Sequence, residues 1–248
     1  MQRARRPIAV AVVASLAVAG LSACRSEPSV AAYVGGGKVT ESRVQQVWDE
    51  ARAAAAADLA ARPATGSAEP AALPITRSDV VRALISVDVL TEVVKRENVP
   101  APAAPPLAEY ASALRLPERT EYVRLYARSD SLIKALRQAA QNAPAPTDAD
   151  LRGVFDVLVA NEQIPPGSTF AEFKKALPAQ NMQLVQSAAA VRKEIDEVTG
   201  PLRIKVNPRY QPLGIPVLEI QTQKGELRPL VVAALGAEGA DSPVTDVA

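Results

Sequence analysis

Histidine is missing from the whole chain, and cysteine occurs once, at position 24. The first absence removes the commonest general base, the commonest metal-binding side chain and any Ser-His-Asp or Cys-His arrangement. The second excludes a disulfide within the chain, so the fold must rest on packing alone. Aromatic residues make up only 4% of the sequence, whereas small aliphatic residues abound. A core of that kind suits closely packed helices better than a sandwich built on large side chains. Carboxylate pairs and Ser-Lys pairs remain formally available, but no spacing singles one out. No catalytic residue, metal site or cofactor is expected.

Charge is close to balance. The first 23 residues contain three of the 28 basic residues and none of the 27 acidic ones, so the remainder carries a formal charge of −2. Such balance gives no electrostatic reason to expect nucleic-acid binding.

Arg3, Arg5 and Arg6 precede an uncharged, mostly aliphatic run from Ile8 to Gly20, which Leu21-Ser22-Ala23-Cys24 closes. The apolar run is too short to span a bilayer comfortably, and the layout is that of a secretory signal. The closing four residues resemble the lipobox of bacterial lipoproteins. The resemblance implies that the Cys24 sulfur accepts a diacylglyceryl group and that cleavage follows before it. Small residues at Ser22 and Ala23 let a peptidase approach the backbone. Cys24 is then committed to lipid, which also removes thiolate chemistry and cysteine zinc sites. The expected location is the extracytoplasmic face of a bacterial membrane.

Beyond a polar tether at 24–30, Ala31 to Val34, three glycines at 35–37 and Lys38-Val39-Thr40 predict a small hairpin. Thr40 is placed to cap a helix that carries Val44, Val47, Trp48, Ala51 and Ala55 on one face, with Val39 and Val44 as a staple. A loop follows at 62–74. Thr76, with Asp79 three residues on, opens a second helix whose wide apolar face (Val80, Val81, Leu84, Ile85, Val87, Leu90 and Val94) suits a central position. Prolines at 100, 102, 105 and 106 end it. Pro117 reads as the first residue of a third helix, in which Tyr122, Leu125, Tyr126, Ser129, Leu132, Ile133 and Leu136 recur at helical spacing. Thr147 with Asp150 and Thr169 with Glu172 start two shorter helices. Pro178 starts a long last one, punctuated by Gly200 and Pro201. Leu202, Ile204 and Val206 alternate with polar residues as a strand does, and Ile215 to Ile220 reads as an edge strand or an extended arm.

The order of these pieces resembles the N-terminal module of the SurA and PrsA class of extracytoplasmic folding factors. The resembling stretches are Ala31 to Ser42, Val89 to Val99, Thr147 to Leu151 and Val206-Asn207-Pro208-Arg209-Tyr210. Where that class has a glycine after its closing tyrosine, this chain has Gln211. The parvulin domain of the class has no room here, because only Asn161 to Ser168 separates one helix from the next capping box. What the resemblance implies is a helical cradle without isomerase activity that holds unfolded exported polypeptides. Trp48, Tyr122 and Tyr126 are the candidate client-binding residues, and Asn207, Pro208, Arg209 and Tyr210 a structural closure.

The expected architecture is mainly α: five or six helices of a SurA N-terminal-like domain over 31–210, with a small β-sheet pairing Tyr33–Val39 with Leu202–Val206. Residues 1–23 are the signal, 211–235 an extension with possible strands, and 236–248 a disordered tail. The expected function is a membrane-anchored, non-enzymatic, chaperone-like binder. The alternative is an adaptor lipoprotein for one folded envelope partner. In a producing bacterium, Cys24→Ser should abolish palmitate labelling and move the chain from the detergent to the aqueous phase on Triton X-114 partitioning. A variant that keeps its label would contradict the lipid reading.

Overall fold

The computed structural model describes residues 29–61, 73–222 and 227–236. The expected signal segment, Cys24, most of the 62–74 loop and the tail after Gly236 lie outside the described residues. Within them the fold is mainly helical, with seven α-helices and two small antiparallel sheets.

β1 (Val30–Val34) and β2 (Gly37–Thr40) form the expected hairpin. Its turn needs Gly35, which has φ +55° and donates its N–H to the carbonyl of Leu202 at 2.8 Å. A side chain there would meet the left-handed penalty and also press on Leu202. The second edge of β1 pairs with β3 (Lys205–Val206), Ala32 opposite Val206 and Tyr33 opposite Lys205. The sheet order is therefore β2-β1-β3, joining the two ends of the chain as expected.

Thr40 accepts the N–H of Arg43 and starts α1 (Glu41–Ala60), whose Val44, Val47 and Ala51 are buried. Thr76 and Asp79 form a reciprocal capping box at the start of α2 (Arg77–Arg96). Its Val80, Val81, Ile85, Val89, Leu90 and Val93 are fully inaccessible, so α2 is the axis of the core. α3 (Leu107–Leu114) is a helix the sequence pattern did not announce. It follows a proline pair, has no side-chain cap, and holds on by half-buried Leu107, Tyr110 and Leu114 instead of a buried stripe.

α4 (Glu121–Ala139) starts four residues later than Pro117 suggested. Pro117 to Thr120 is a turn in which the Thr120 hydroxyl donates to the Pro117 carbonyl at 2.9 Å. That hydroxyl is then unavailable as a cap. The Glu50 carboxylate of α1 takes its place and accepts the Glu121 N–H at 3.2 Å. The capping boxes of α5 (Asp148–Ala160) and α6 (Phe170–Ala176) match their sequence signatures. α7 (Ala179–Leu202) runs through Gly200 and Pro201 and stops at Arg203 in the left-handed region. A proline in the last turn removes one terminal hydrogen bond only, so the helix outlasts it. This shortens the expected strand: Leu202 is helical, and only Lys205 and Val206 are paired.

Beyond Tyr210 the described residues carry two strands. β4 (Gly214–Gln221) and β5 (Leu227–Ala234) form an antiparallel hairpin. Its Ile215, Val217, Leu218, Val231 and Ala233, with Leu213 and Leu235, are buried in the same core cluster as the helices. The hairpin and 31–210 therefore share one core, because neither face alone can be shielded from water. Ile215→Ala should lower unfolding stability by about 2–5 kcal/mol in urea titrations. A loss under about 1 kcal/mol would mean that the hairpin is an appendage.

Candidate binding surfaces and the clasp between them

Glu41, in the first turn of α1, collects contacts from both ends of the chain. Its N–H donates to the Ser29 carbonyl at 2.8 Å. Its carboxylate accepts the Tyr210 hydroxyl at 2.6 Å and pairs with the Arg209 guanidinium. Asn207 completes the clasp: its N–H donates to the Ala31 carbonyl at 2.9 Å, and its side-chain oxygen accepts the Arg209 N–H. Pro208 starts the short 3-10 turn that brings Tyr210 back toward α1. Tyr210 is buried; desolvation, then the Glu41 carboxylate, pushes its hydroxyl up to about 12. Glu41 in turn raises the Arg209 guanidinium above its ordinary value. The four residues Asn207, Pro208, Arg209 and Tyr210 thus tie the chain shut.

Trp48, on α1, is half-buried. The Arg77 guanidinium lies 4.2 Å from its ring centroid and that of Arg52 at 5.0 Å. Arg77 is steered there by its Nε–H, which donates to Gln45 at 2.9 Å. The ring is therefore an arginine-flanked surface group. Tyr122 is only 5% exposed and belongs to the core, where desolvation raises its hydroxyl well above the ordinary range. It offers no surface to a partner. Tyr126 is half-buried between Tyr110 and Tyr122, at centroid distances of 6.1 and 6.4 Å. The three candidates do not make one patch: no ring contact joins Trp48 to the tyrosines among the described residues.

Around Tyr126 lies a polar cluster absent from the sequence reading. The Tyr110 hydroxyl donates to Asp130 at 2.6 Å, and Lys134 pairs with the same carboxylate at 2.7 Å. Glu219 of β4 is raised by desolvation and then by Asp130, against a pull from Arg82. These groups come from α2, α3, α4 and β4, and no local motif could have announced them. The three phenylalanines of the chain also gather in one place, Phe155 on α5 against Phe170 and Phe173 on α6 at 5.8 and 5.5 Å. Arg152 lies 3.9 Å from the Phe170 centroid.

Two shallow clefts open on the surface. One, of about 320 Å³, lies beside β2 and α2 and is edged by Asp88 and Glu92; burial raises the Asp88 carboxyl. The other, of about 220 Å³, runs between α5, α7 and β5. No group of metal-binding side chains is assembled among the described residues, and no helix among them is long and apolar enough to cross a membrane.

Comparison with protein-family models, with curated proteins and with solved structures finds no match for the chain.

Glu194 of α7 is a carboxyl at odds with its surroundings. Desolvation and the neighbouring Glu97 and Glu197 carboxylates push its carboxyl up to about 7, against a pull from Arg96. The folded chain therefore holds a proton that the unfolded chain releases near pH 4.5, so stability falls as pH rises from about 4.5 to 7. Glu194→Gln should remove that loss. Solvent screening at this half-exposed site limits the gain above pH 7 to ~1 kcal/mol, about 2–4 °C in Tm. At pH 4 the variant and the parent should melt together, and a gain of equal size at both pH values would contradict the assignment.

Proposed function

We propose that this chain is a lipid-anchored, extracytoplasmic, non-catalytic protein with a SurA N-terminal-like fold that transiently holds exported polypeptides. The observation that carries the reading is the clasp. The resembling stretch Val206 to Tyr210 meets the other resembling stretch, Ala31 to Ser42, through Asn207 on Ala31 and Tyr210 on Glu41. The two stretches that carry the resemblance are partners in space. Thr147 to Leu151, a third such stretch, opens α5 with a complete capping box. Only Asn161 to Ser168 separates α5 from the Thr169 cap of α6, which leaves a holding module without an isomerase.

Holding an unfolded chain needs exposed apolar surface and adaptable contacts, not a reaction centre. The arginine-flanked Trp48 and the half-buried Tyr126 fit that need, and Tyr122 does not, because it is already used in the core. Leu184, Leu227, Val159 and Val232 add exposed aliphatic surface. The lipid on Cys24 would keep such a holder where polypeptides emerge from export.

Added to reduced, aggregating lysozyme, the protein should suppress light scattering at a near-stoichiometric ratio. Absence of suppression across several unfolded proteins, with one folded envelope partner recovered stoichiometrically in pull-downs, would replace this reading with that of an adaptor.

A further inference from the structure

A lipid on Cys24 would set how far the folded chain can stand from a bilayer. Cys24 precedes Ser29 by five residues, a length that reaches at most about 18 Å when fully extended. Ser29 is fixed at the start of α1, where its carbonyl accepts the Glu41 N–H at 2.8 Å. The surface around the first turns of α1 is therefore the part of the molecule that such an anchor holds at the headgroups.

That surface carries one stripe. Glu41, Gln45, Trp48 and Arg52 follow one another at intervals of four, three and four residues and so share a face of α1. Trp48 lies about 10 Å along the helix axis from Glu41, within the reach of the tether. Arg77, the first residue of α2, crosses to this stripe: its Nε–H donates to Gln45 at 2.9 Å and its guanidinium lies 4.2 Å from the Trp48 ring centroid. The acids beside the stripe are already used. Glu41 pairs with Arg209 and accepts the Tyr210 hydroxyl, Asp49 pairs with Arg52 at 2.9 Å, and Asp79 pairs with Arg82 at 2.8 Å. Arg77 is exposed, and among the described residues its two terminal nitrogens meet no carboxylate and make no hydrogen bond. The half-buried Trp48 likewise has no partner for its indole N–H among the described residues, and that atom is open to solvent.

We infer that the Trp48–Arg77 face is a membrane-docking surface: it lays α1 along an anionic bilayer, with the indole at headgroup level and the Arg77 guanidinium on lipid phosphate. An indole joins an apolar body to one N–H donor, the combination that settles between water and hydrocarbon. A guanidinium with both terminal nitrogens free meets phosphate oxygens in pairs. The tether decides between occupants. A five-residue link keeps this face at a high effective concentration of lipid, whereas a soluble polypeptide has to reach it by diffusion. The inference rests on the lipid anchor proposed above and adds an orientation to it. While docked, Trp48 is withdrawn from clients, which are left Tyr126 and the exposed aliphatic side chains.

Trp48 is the only tryptophan of the chain, so its fluorescence reports this surface alone. The test uses the lipidated protein, purified from a producing bacterium and reconstituted in vesicles of equal parts phosphatidylglycerol and phosphatidylcholine, the latter brominated on its acyl chains near the headgroup. The brominated lipid should quench Trp48 emission at least about twofold. Arg77→Glu reverses the charge at a first-turn position where a helix accepts an acid. It should keep its Tm and lose more than half of that quenching, and replacing phosphatidylglycerol by phosphatidylcholine should do the same to the parent. Unquenched emission from protein that still floats with the vesicles would overturn the docking surface and leave the anchor standing. Quenching that neither the variant nor the neutral lipid reduces would overturn the headgroup contact. Protein that does not float with the vesicles would remove the anchor and the inference together. Relief of the quenching by reduced, carboxymethylated α-lactalbumin would give the ring to unfolded clients and overturn the assignment.

Discussion

The pairing of β1 with strands from both sides is the constraint from which the rest of the structure follows. β1 lies between β2, its sequence neighbour, and β3, which arrives some 170 residues later. Once that pairing is made, the start of α1 and the end of α7 must lie together, and five intervening helices must fit between fixed ends. The sheet is too small to be stable by itself. Its Ala31, Ala32, Val39 and Val206 are buried against the helices, and Glu41 collects Ser29, Arg209 and Tyr210 at its margin. Closure by a polar clasp also does here what a disulfide does in many exported proteins, which a chain with one cysteine cannot have.

Helix ends are matched to their surroundings in two ways. α2, α5 and α6 carry complete capping boxes and begin where their own residues dictate. α4 begins where another helix permits, its first N–H taken by Glu50 of α1. The second arrangement couples α4 to α1 and fixes the height at which Tyr122, Val123 and Ala127 enter the core.

The C-terminal hairpin shows the same economy of means. Its inner face supplies the layer that covers α7 and part of α2. Each strand carries one proline, Pro216 and Pro229, and the register shifts around Leu218 skip Val217 on β4 and Leu230 on β5.

Local signals were legible from composition and spacing alone: the hairpin around Gly35, three capping boxes and the central apolar helix. Each depends on residues three or four positions apart, or on a backbone conformation that one residue type tolerates best. Helical spacing identified Trp48, Tyr122 and Tyr126 as members of apolar stripes but could not say what each stripe faces, because periodicity reports a face and not its neighbour. Helix α3 was missed for want of a cap or a buried stripe, and the start of α4 was misplaced because its cap comes from α1. The Asp130–Tyr110–Glu219 cluster and the gathering of the three phenylalanines have no signature in the chain, since their parts are brought together only by packing. What lies close along the backbone was settled by the order of residues; what lies close in space was settled by which apolar faces could be hidden together.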